Sequence, residues 1–302
     1  MNANLNFNQL RSFLLVAEEG NLTRAAERRH TTPSAVSTHL QQLEEQLGVV
    51  LFERTRRGMN LTSAGERLLD PARRVMTAAR DLGDAAARLN GDTTRNLRLG
   101  LNAPPEHLRV GPLMAATARG EPPLVIQLES SMSERILVDV AAGRLDAGFA
   151  YGAVDDPNLA RVDLGKRTLR VAAPGDFALE RLPDEPAERA ALPWIWPGVE
   201  GCPFRHLMPT VLGTDAHEAN IVTRIDGEES IRALIRIGMG VGLLEERYAL
   251  EAAGDGRLKV LEQRWEIDLS LVHRRDRADD PVIRALVSAL EAAWREPEGS
   301  SA

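Results

Sequence analysis

The sequence predicts two unlike parts, an all-α N-terminal part followed by a larger α/β part. Apolar residues recur at helical spacing in the first 90 residues, whereas short apolar strands alternate with helices after the polar, turn-prone segment Asn90–Thr94. The charge divides at the same place. Residues 1–90 contain 12 Arg and 10 Asp plus Glu, and residues 91–302 contain 25 Lys plus Arg and 34 Asp plus Glu. The acidity of the chain, a formal net charge of −7, therefore belongs to the second part.

Composition excludes several classes of protein. The chain has 302 residues, of which 43% are hydrophobic and 27% charged, a globular balance that excludes wholesale disorder. No apolar run reaches the ~18 residues of a membrane span, and the polar start Met1–Gln9 lacks a signal-peptide pattern. We therefore expect a cytoplasmic protein without a membrane partner. The single cysteine, Cys202, excludes an internal disulfide framework.

The first 48 residues predict three helices. The first is amphipathic and ends at Gly20, a C-cap residue. The second is short and extends to about Arg29. The third opens with Thr32 as N-cap and Pro33 in its first turn, and it runs to Leu47.

The third helix has two distinct faces. Val36, Leu40, Leu43 and Leu47 form an apolar stripe, and short hydroxyl side chains lie opposite. Hydroxyl groups at the start of such a helix can contact bases and phosphates if the helix enters a DNA major groove. The alternative interpretation is that they form the solvent-exposed face of an ordinary helix bundle. These residues alone leave the two interpretations nearly even. The candidate DNA-contacting residues here are Thr32, Pro33, Ser34, Ser37, Thr38 and His39.

A basic hairpin follows and favours DNA. Two extended runs, Val49–Phe52 and Asn60–Thr62, flank a loop that contains Arg54, Arg56 and Arg57. Beside the third helix, these arginines would meet phosphates or the minor groove, although a merely solvated turn is the alternative.

One ordered set of motifs runs through the segment from Leu10 to Gly65: Phe13, Ala25, Ala26, Thr32–Ser37, Leu43–Gly48, Leu51–Arg54 and Leu61–Gly65. With this set, the segment resembles the winged helix-turn-helix of LysR-type transcriptional regulators. Its departures are Pro33, where the family often has Gln, Thr38, where a basic residue is common, and His39, where Gln is common. The base-reading code is therefore specific to this chain.

The resemblance implies a domain plan and partners. Residues 1–62 would form the DNA-binding domain, 63–92 a linker and dimerisation helix, and 93–302 an effector-binding domain. The expected partners are a double-stranded DNA operator, a small-molecule effector, RNA polymerase, and further copies of the chain in a homodimer that assembles to a homotetramer.

The linker segment predicts a long helix. Ser63 and Glu66 have the spacing of a capping box, and Pro71 should loosen the first turns. An apolar seam repeats at alternating 4 and 3 spacing and favours pairing with a second helix. The alternative is that the seam packs on its own domain. Its residues are Leu68, Ala72, Val75, Ala79, Leu82, Ala86 and Leu89.

The C-terminal part predicts two α/β lobes of a type 2 periplasmic-binding-protein-like fold. Strands at Leu97–Leu101, Leu124–Leu128 and Leu145–Ala150 with intervening helices, one from about Glu106 and one capped by Ser131 and ending at Gly143, form a parallel βαβαβ unit. Lobe I would comprise about 93–165 and 268–302, and lobe II about 166–267. The resemblance to the LysR family extends, more loosely, over this region.

A ligand of such a fold binds at the carboxyl ends of the strands. Hydroxyl groups and helix N-termini favour a small organic anion, whereas Asp226, Glu228 and Glu229 favour the alternative of a ligand that carries a cation. Cys202 is interpreted as a small residue at a helix start, with a peroxide-sensing role as the alternative. The candidate effector residues are Asn102, Ala103, Ser131, Met132, Ser133, Cys202, Phe204, Arg205, Asp226 and Gly227.

Signals of enzymatic chemistry are weak. Gly238–Gly242 follows a helix and precedes a strand, the reverse of a dinucleotide-binding loop. The six histidines lack metal-ligand spacing, and no nucleophile-elbow motif occurs. We therefore expect no catalytic site, metal or cofactor. The rival interpretation is a solute-binding or redox-sensing protein that acts without DNA.

Overall fold

The computed structural model describes residues 5–55, 58–89, 95–119, 124–198 and 201–295. The chain divides into two compact units, 1–93 with 142–144, and 94–141 with 145–302. No helix within these ranges is long and apolar enough to cross a membrane.

The N-terminal unit is a three-helix core with a hairpin and a long helix. The predicted caps are present: Gly20 adopts a left-handed conformation with φ 59°, and Thr32 Oγ1 accepts from the N–H of Ala35 at 3.2 Å. The second helix lies one residue earlier than expected. The elements are α1 Phe7–Glu19, α2 Leu22–Arg28, α3 Pro33–Leu47, β1 Phe52–Thr55, β2 Gly58–Leu61 and α4 Ser63–Leu89.

The apolar faces of these elements meet in one core. Phe13 of α1 packs edge-on against Phe52 of β1, with ring centroids 5.6 Å apart. Val36, Leu40 and Leu43 of the predicted stripe are buried, and Leu47 packs at the margin. Small residues at the centre of α2 allow the close approach of α1 and α3. The other core residues are Leu10, Val16, Ala25, Ala26, Leu51 and Ala72.

The hairpin is the wing, and it is anchored to the end of α1. β1 and β2 pair antiparallel, from Phe52 with Leu61 to Thr55 with Gly58. Met59 N–H donates to the Gly20 carbonyl at 2.8 Å, and a Cβ on Gly58 would lie 2.2 Å from that same oxygen. Gly58 also has a φ of 135°, so only glycine permits this close approach.

The N-cap of α4 differs from the predicted one. Thr62, not Ser63, is the N-cap, because its hydroxyl oxygen accepts from the N–H of Gly65 at 3.0 Å and the Glu66 N–H donates to its carbonyl. The same hydroxyl donates to the Val50 carbonyl at 2.7 Å, which ties the start of the helix to the segment between α3 and β1. The expected capping box at Ser63–Glu66 was therefore wrong by one residue. Helix α4 continues through Pro71 without a break.

The apolar seam of α4 has a buried part and an exposed part. Ala72 is 6% exposed and belongs to the core of its own unit, and Leu68 packs against that core. Farther along, Val75 is 38% and Leu82 72% exposed, and Ala86 is also exposed. Ala72 therefore packs on its own unit, as the alternative interpretation has it, and pairing through the rest of the seam stays a prediction. Ala79 lies between the two parts and is half-buried, and the side chain of Leu89 falls outside the described residues.

The second unit is an α/β domain built on a six-stranded sheet. Its strand order is β4-β3-β5-β10-β6-β9, and β3 pairs parallel with both β4 and β5, as the βαβαβ interpretation predicts. A separate parallel pair joins β7 and β8. The strands are β3 Arg95–Leu101, β4 Leu124–Ser130, β5 Ala147–Tyr151, β6 Leu159–Pro174, β7 Trp194–Pro197, β8 Ile221–Ile225, β9 Gly242–Glu245 and β10 Leu258–Arg274.

The helices of this unit include several that depart from expectation. Helix α5 begins at Val110 rather than Glu106, since the chain turns after Pro104 and Arg109 takes a left-handed conformation with φ 48°. Helix α6 begins at Ser133 and ends before Gly143, so Ser131 is not its cap. The helices are α5 Val110–Ala118, α6 Ser133–Ala141, α7 Pro186–Ala191, α8 Pro203–Leu212, α9 Glu228–Arg236, α10 Glu246–Ala252 and α11 Pro281–Arg295, with short 3₁₀ turns at Ala216–Glu218, Ala253–Asp255 and Arg275–Arg277.

Two long strands connect the lobes. β6 has 16 residues and β10 has 17, and they pair antiparallel along their length with register shifts between Val260 and Arg264 and between Asp268 and Ser270. The expected lobe boundaries at 165–166 and 267–268 therefore fall inside continuous strands. The two lobes share this strand pair as their connection.

Candidate functional sites

The candidate DNA-reading face of α3 carries an internal hydrogen-bond pattern of its own. Ser34 and Thr38 are exposed, and Ser37 is half-buried. Thr38 Oγ1 donates to the Ser34 carbonyl at 3.0 Å, and the hydroxyls of Thr32 and Ser34 lie 3.0 Å apart. Pro33 fills the first helical position, where its missing N–H costs nothing. The exposed surface of the helix start is therefore short, polar and uncharged.

His39 is placed differently from its hydroxyl neighbours. It is half-buried, and its Nδ1 lies 2.9 Å from the Ser12 hydroxyl of α1. Burial and the nearby positive charge of Arg29 lower the pKa of His39 below its ordinary value. One ring nitrogen is thus engaged inside the unit.

The wing presents its first arginine to solvent. Arg54 lies on β1 with its side chain exposed. The strand is held against α3 by Glu44, whose Oε1 accepts from the N–H groups of Leu51 at 2.7 Å and Phe52 at 3.2 Å. Arg56 and Arg57 lie outside the described residues.

The α/β unit contains a cavity of about 520 Å³ at the ends of its strands. Nine of the ten effector candidates line it. Arg205 does not: its Nη1 donates to the Gly198 carbonyl at 3.3 Å. The lining residues are Leu101, Asn102, Ala103, Pro104, Pro105, Ser130, Ser131, Met132, Ser133, Tyr151, Pro197, Cys202, Pro203, Phe204, Ile225, Asp226, Gly227, Glu228, Glu229, Ile231 and Tyr248.

The cavity lies at the carboxyl ends of parallel strands, beside the loops that follow them. The carboxyl ends of β3, β4 and β8 lead into it, and the N-termini of α6, α8 and α9 lie beside it. Ser133 Oγ accepts from the Tyr151 N–H at 3.1 Å and from Asn102 Nδ2 at 3.2 Å. These two bonds fix the start of α6 to the ends of β5 and β3.

Sequence reasoning missed the aromatic walls. Tyr151 ends β5 and packs on Phe204 with ring centroids 5.5 Å apart, and Tyr248 comes from α10, a helix the sequence did not predict. Tyr151 could have been proposed from the sequence, because it directly follows the predicted strand Leu145–Ala150. The sequence offered no comparable signal for Tyr248, because its helix follows β9 without a connecting loop.

The polar lining is acidic. Asp226 Oδ1 accepts from the Gly198 N–H at 2.9 Å, and Glu228 Oε1 accepts from the Glu245 N–H at 2.6 Å. Burial, opposed by this N–H and assisted by the charge of Glu245, raises the pKa of Glu228 to about 7. Within the described part of the chain, no Lys, Arg or His side chain lines the cavity.

Cys202 is buried at the start of α8, and burial is the main cause that raises the pKa of its thiol. A raised pKa reduces the fraction of thiolate, which is the form of the side chain that attacks peroxide. Among the described residues, no group of three or more His, Cys, Asp or Glu is placed to hold a metal ion.

A winged helix-turn-helix unit joined to an α/β unit with a ligand-sized cavity defines a DNA-binding regulator with a sensing domain. Family profiles give the same two parts: the bacterial regulatory helix-turn-helix of the lysR family matches residues 7–66, and the LysR substrate binding domain matches residues 90–295. The chain belongs to the LysR family of transcriptional regulators. It is a transcription regulator rather than an enzyme, and the interpretation without DNA is excluded.

Known proteins resemble the chain over nearly its full length. It is 27% identical to the HTH-type transcriptional regulator YofA of Bacillus velezensis over 287 residues, 94% of this chain and 96% of YofA. It is 29% identical to ClcR of Pseudomonas putida over 300 residues, covering 95% and 98% of the two chains.

Solved structures show the same fold. The crystal structure of CbnR, a LysR family transcriptional regulator, matches with a TM-score of 0.64 and 21% identity, covering 97% of this chain and all of that one. Full-length CbnR complexed with its target DNA matches with a TM-score of 0.61 and 22% identity, covering 96% of this chain and 100% of CbnR.

Proposed function

We propose that this regulator binds a dyad-symmetric operator and that a small-molecule effector in the cavity changes the binding or the DNA bend. The observation that carries the proposal is the cavity of about 520 Å³ at the strand ends of a domain attached to a DNA-binding head. An effector that prefers one state of lobe closure and subunit packing would shift the population of assemblies. The regulator would act in the cytoplasm, as a homodimer or homotetramer that contacts RNA polymerase.

On DNA, α3 would enter the major groove. The exposed hydroxyls of Ser34 and Thr38, with the half-buried Ser37, would contact base edges or phosphates. Arg54, Arg56 and Arg57 of the wing would neutralise phosphates or enter the minor groove. Pro33 would bring the start of the helix close to the groove without a competing N–H.

A gel-shift series against the DNA upstream of its own gene tests this assignment. The double variant Arg56→Ala/Arg57→Ala should bind more weakly and with a shallower salt dependence, since each lost phosphate contact lowers the slope of log K on log salt by about 0.9. Arg295→Ala, which removes an exposed arginine of the α/β unit, controls for net charge and should leave the slope unchanged. An unaltered slope in the double variant would show that the wing arginines do not touch the backbone.

The start of α6 supports an effector with an anionic group. Ser131 and Ser133 bring hydroxyls to the cavity, and the first-turn N–H groups of a nine-residue helix favour negative charge. Met132 and Phe204 add apolar contact. We therefore propose a small organic anion whose carboxylate lies at this helix start.

A second candidate is a ligand with a cationic group. Asp226, Glu228 and Glu229 line the cavity, and Arg205, the one basic residue among the effector candidates, does not. Calorimetry of the full chain with phenylacetate, phenethylamine and phenylalanine separates the candidates, because the three probes share one apolar part. Binding of phenylacetate supports the anion, and binding of the amine alone would overturn it in favour of the cation.

A further inference from the structure

A polar cluster links the three helices of the DNA-binding head behind α3. Arg29, at the end of α2, donates from Nη1 to the Asn8 carbonyl at 2.9 Å and to Ser12 Oγ at 2.5 Å. Its Nη2 donates to Asn8 Oδ1 at 3.1 Å. Ser12 is fully buried, and its hydroxyl lies 2.9 Å from Nδ1 of His39 on α3. One arginine therefore connects α1, α2 and the candidate reading helix.

The donors in this cluster determine where the protons lie. A guanidinium can only donate, so Ser12 Oγ accepts from Arg29 and its own hydrogen is available for Nδ1 of His39. Nη1 of Arg29 lies 3.4 Å from the same nitrogen, and its positive charge disfavours a hydrogen on Nδ1. An Nδ1–H would face this positive donor, so Nδ1 is the acceptor. A neutral imidazole whose Nδ1 accepts carries its hydrogen on Nε2.

The surrounding charges also favour a neutral imidazole at His39. Burial and the charge of Arg29 lower the pKa of His39, and Arg11 of α1 adds a positive charge next to Arg29. Within the described part of the chain, no carboxylate contacts the imidazole, and no residue is bonded to its Nε2. The ring is therefore held uncharged, with one nitrogen engaged and the other unoccupied.

We propose that Arg29 and Ser12 are positioning residues that hold His39 as a neutral Nε2–H donor for DNA. This inference rests on the proposed entry of α3 into the major groove. A pure donor pairs with guanine O6 or N7, adenine N7, thymine O4 or a phosphate oxygen, and it cannot accept from the amino group of cytosine. The cluster would thus restrict which base or phosphate the helix selects at this point.

Nitrogen-15 NMR of the full chain labelled in histidine tests the tautomer directly. Long-range proton correlations should show an unprotonated Nδ1 and a protonated Nε2 for His39, assigned by its absence in His39→Gln. Ser12→Ala and Arg29→Gln should each produce a mixture of tautomers and a higher pKa for this ring. His217, which is exposed and lies in the α/β unit, provides an internal control whose signals should not respond. A wild-type His39 protonated on Nδ1 would overturn the proposal.

Fluorescence anisotropy on upstream DNA tests the contact. His39→Leu should weaken binding about tenfold, the equivalent of one hydrogen-bonded base contact, whereas His39→Gln, which retains an N–H donor, should keep most of the affinity. Arg29→Gln should make the affinity change with pH near 6.5, the ordinary pKa of histidine, while the wild type shows no such step. Equal binding by the Leu and Gln variants would overturn the contact. Absence of wild-type binding would instead overturn the proposed function, and the tautomer would still be decided by NMR.

Discussion

Asp146 shows how one residue can hold the α/β unit together. One carboxylate oxygen accepts from the N–H of Arg98 at 2.8 Å, and the other from Nη1 of Arg277 at 2.6 Å, with only 12% of the side chain exposed. Removing one partner of a buried charge network leaves the others uncompensated. Asp146→Asn should therefore lower the free energy of unfolding by about 3 kcal/mol, measured by urea denaturation. Glu266→Gln, which breaks an exposed pair with Lys166, should leave the free energy of unfolding nearly unchanged.

The contribution of Asp146 should depend on pH in a defined direction. Burial opposes its ionisation, but the backbone N–H of Arg98 and the guanidinium groups of Arg98 and Arg277 outweigh burial and lower its pKa. A lowered pKa stabilises the folded state above the unfolded value of ~3.9, and this stabilisation is lost as the pH falls through the folded value. The difference in stability between wild type and Asp146→Asn should be constant near pH 6 to 7 and shrink toward pH 3. A difference that grew on acidification would contradict this assignment.

Cys202 gives a prediction of no effect. Its thiol is buried at the start of α8, where its raised pKa disfavours the reactive thiolate. Cys202→Ser should respond to peroxide like the wild type in a DNA-binding assay. A peroxide-induced loss of binding that the serine variant lacks would assign a redox role to this residue.

At the scale of elements, α4 has one apolar part that is buried in its own unit and one that is exposed. Ala72 is buried in its own unit, whereas Leu82 is 72% exposed. Leu82→Glu should weaken self-association in analytical ultracentrifugation and leave the melting temperature nearly unchanged. Ala72→Leu should instead overpack the core and cost about 1–3 kcal/mol of stability. If Leu82→Glu remained fully dimeric, the exposed half of α4 would not be the pairing surface.

Local signals predicted the elements that depend on local chemistry. The caps at Gly20 and Thr32 and the stripe of α3 were predictable because capping and burial leave residue patterns a few positions apart. Thr62 and Ser63 both cap well, and the choice of Thr62 depends on its bond to the Val50 carbonyl, which is a tertiary contact. Neighbouring cap-competent residues therefore leave a one-residue ambiguity.

Elements defined by distant partners were harder to predict. β6 and β10 extend across the expected lobe boundaries because each pairs with the other about a hundred residues away. The cavity loops were predictable, since strand ends in an α/β domain have a fixed role. The side chains within them were not, as Arg205 shows by donating to Gly198 instead of lining the cavity. The sequence likewise did not predict that one part of the α4 seam is buried in its own unit and the other part exposed, because the spacing of apolar residues does not show which surface they contact.

At the scale of the whole molecule, charge limits how the regulator holds DNA. Residues 1–90 contain 12 Arg against 10 Asp plus Glu, a small positive excess, and the strong acidity lies in the remaining residues. A weakly basic head gains little nonspecific attraction to phosphates. We therefore expect specific affinity to come from a few well-positioned contacts in each DNA-binding unit and from the binding of several copies to one operator. Self-association and DNA binding should then be strongly coupled.

That coupling predicts a geometric requirement on the operator. If two heads bind together, full-site affinity should exceed half-site affinity by roughly 100-fold through effective concentration. Inserting about 5 base pairs between half-sites, half a helical turn, rotates one site to the opposite face and should abolish most of this gain. An insertion of about 10 base pairs restores the face and should recover part of it. Gel-shift titrations on these DNAs, with Leu82→Glu as a control that lacks the gain on every spacing, measure the effect. Equal affinity for the full site and the 5-base-pair insertion would mean that each head binds alone, and the weakly basic head would then have to supply the entire affinity.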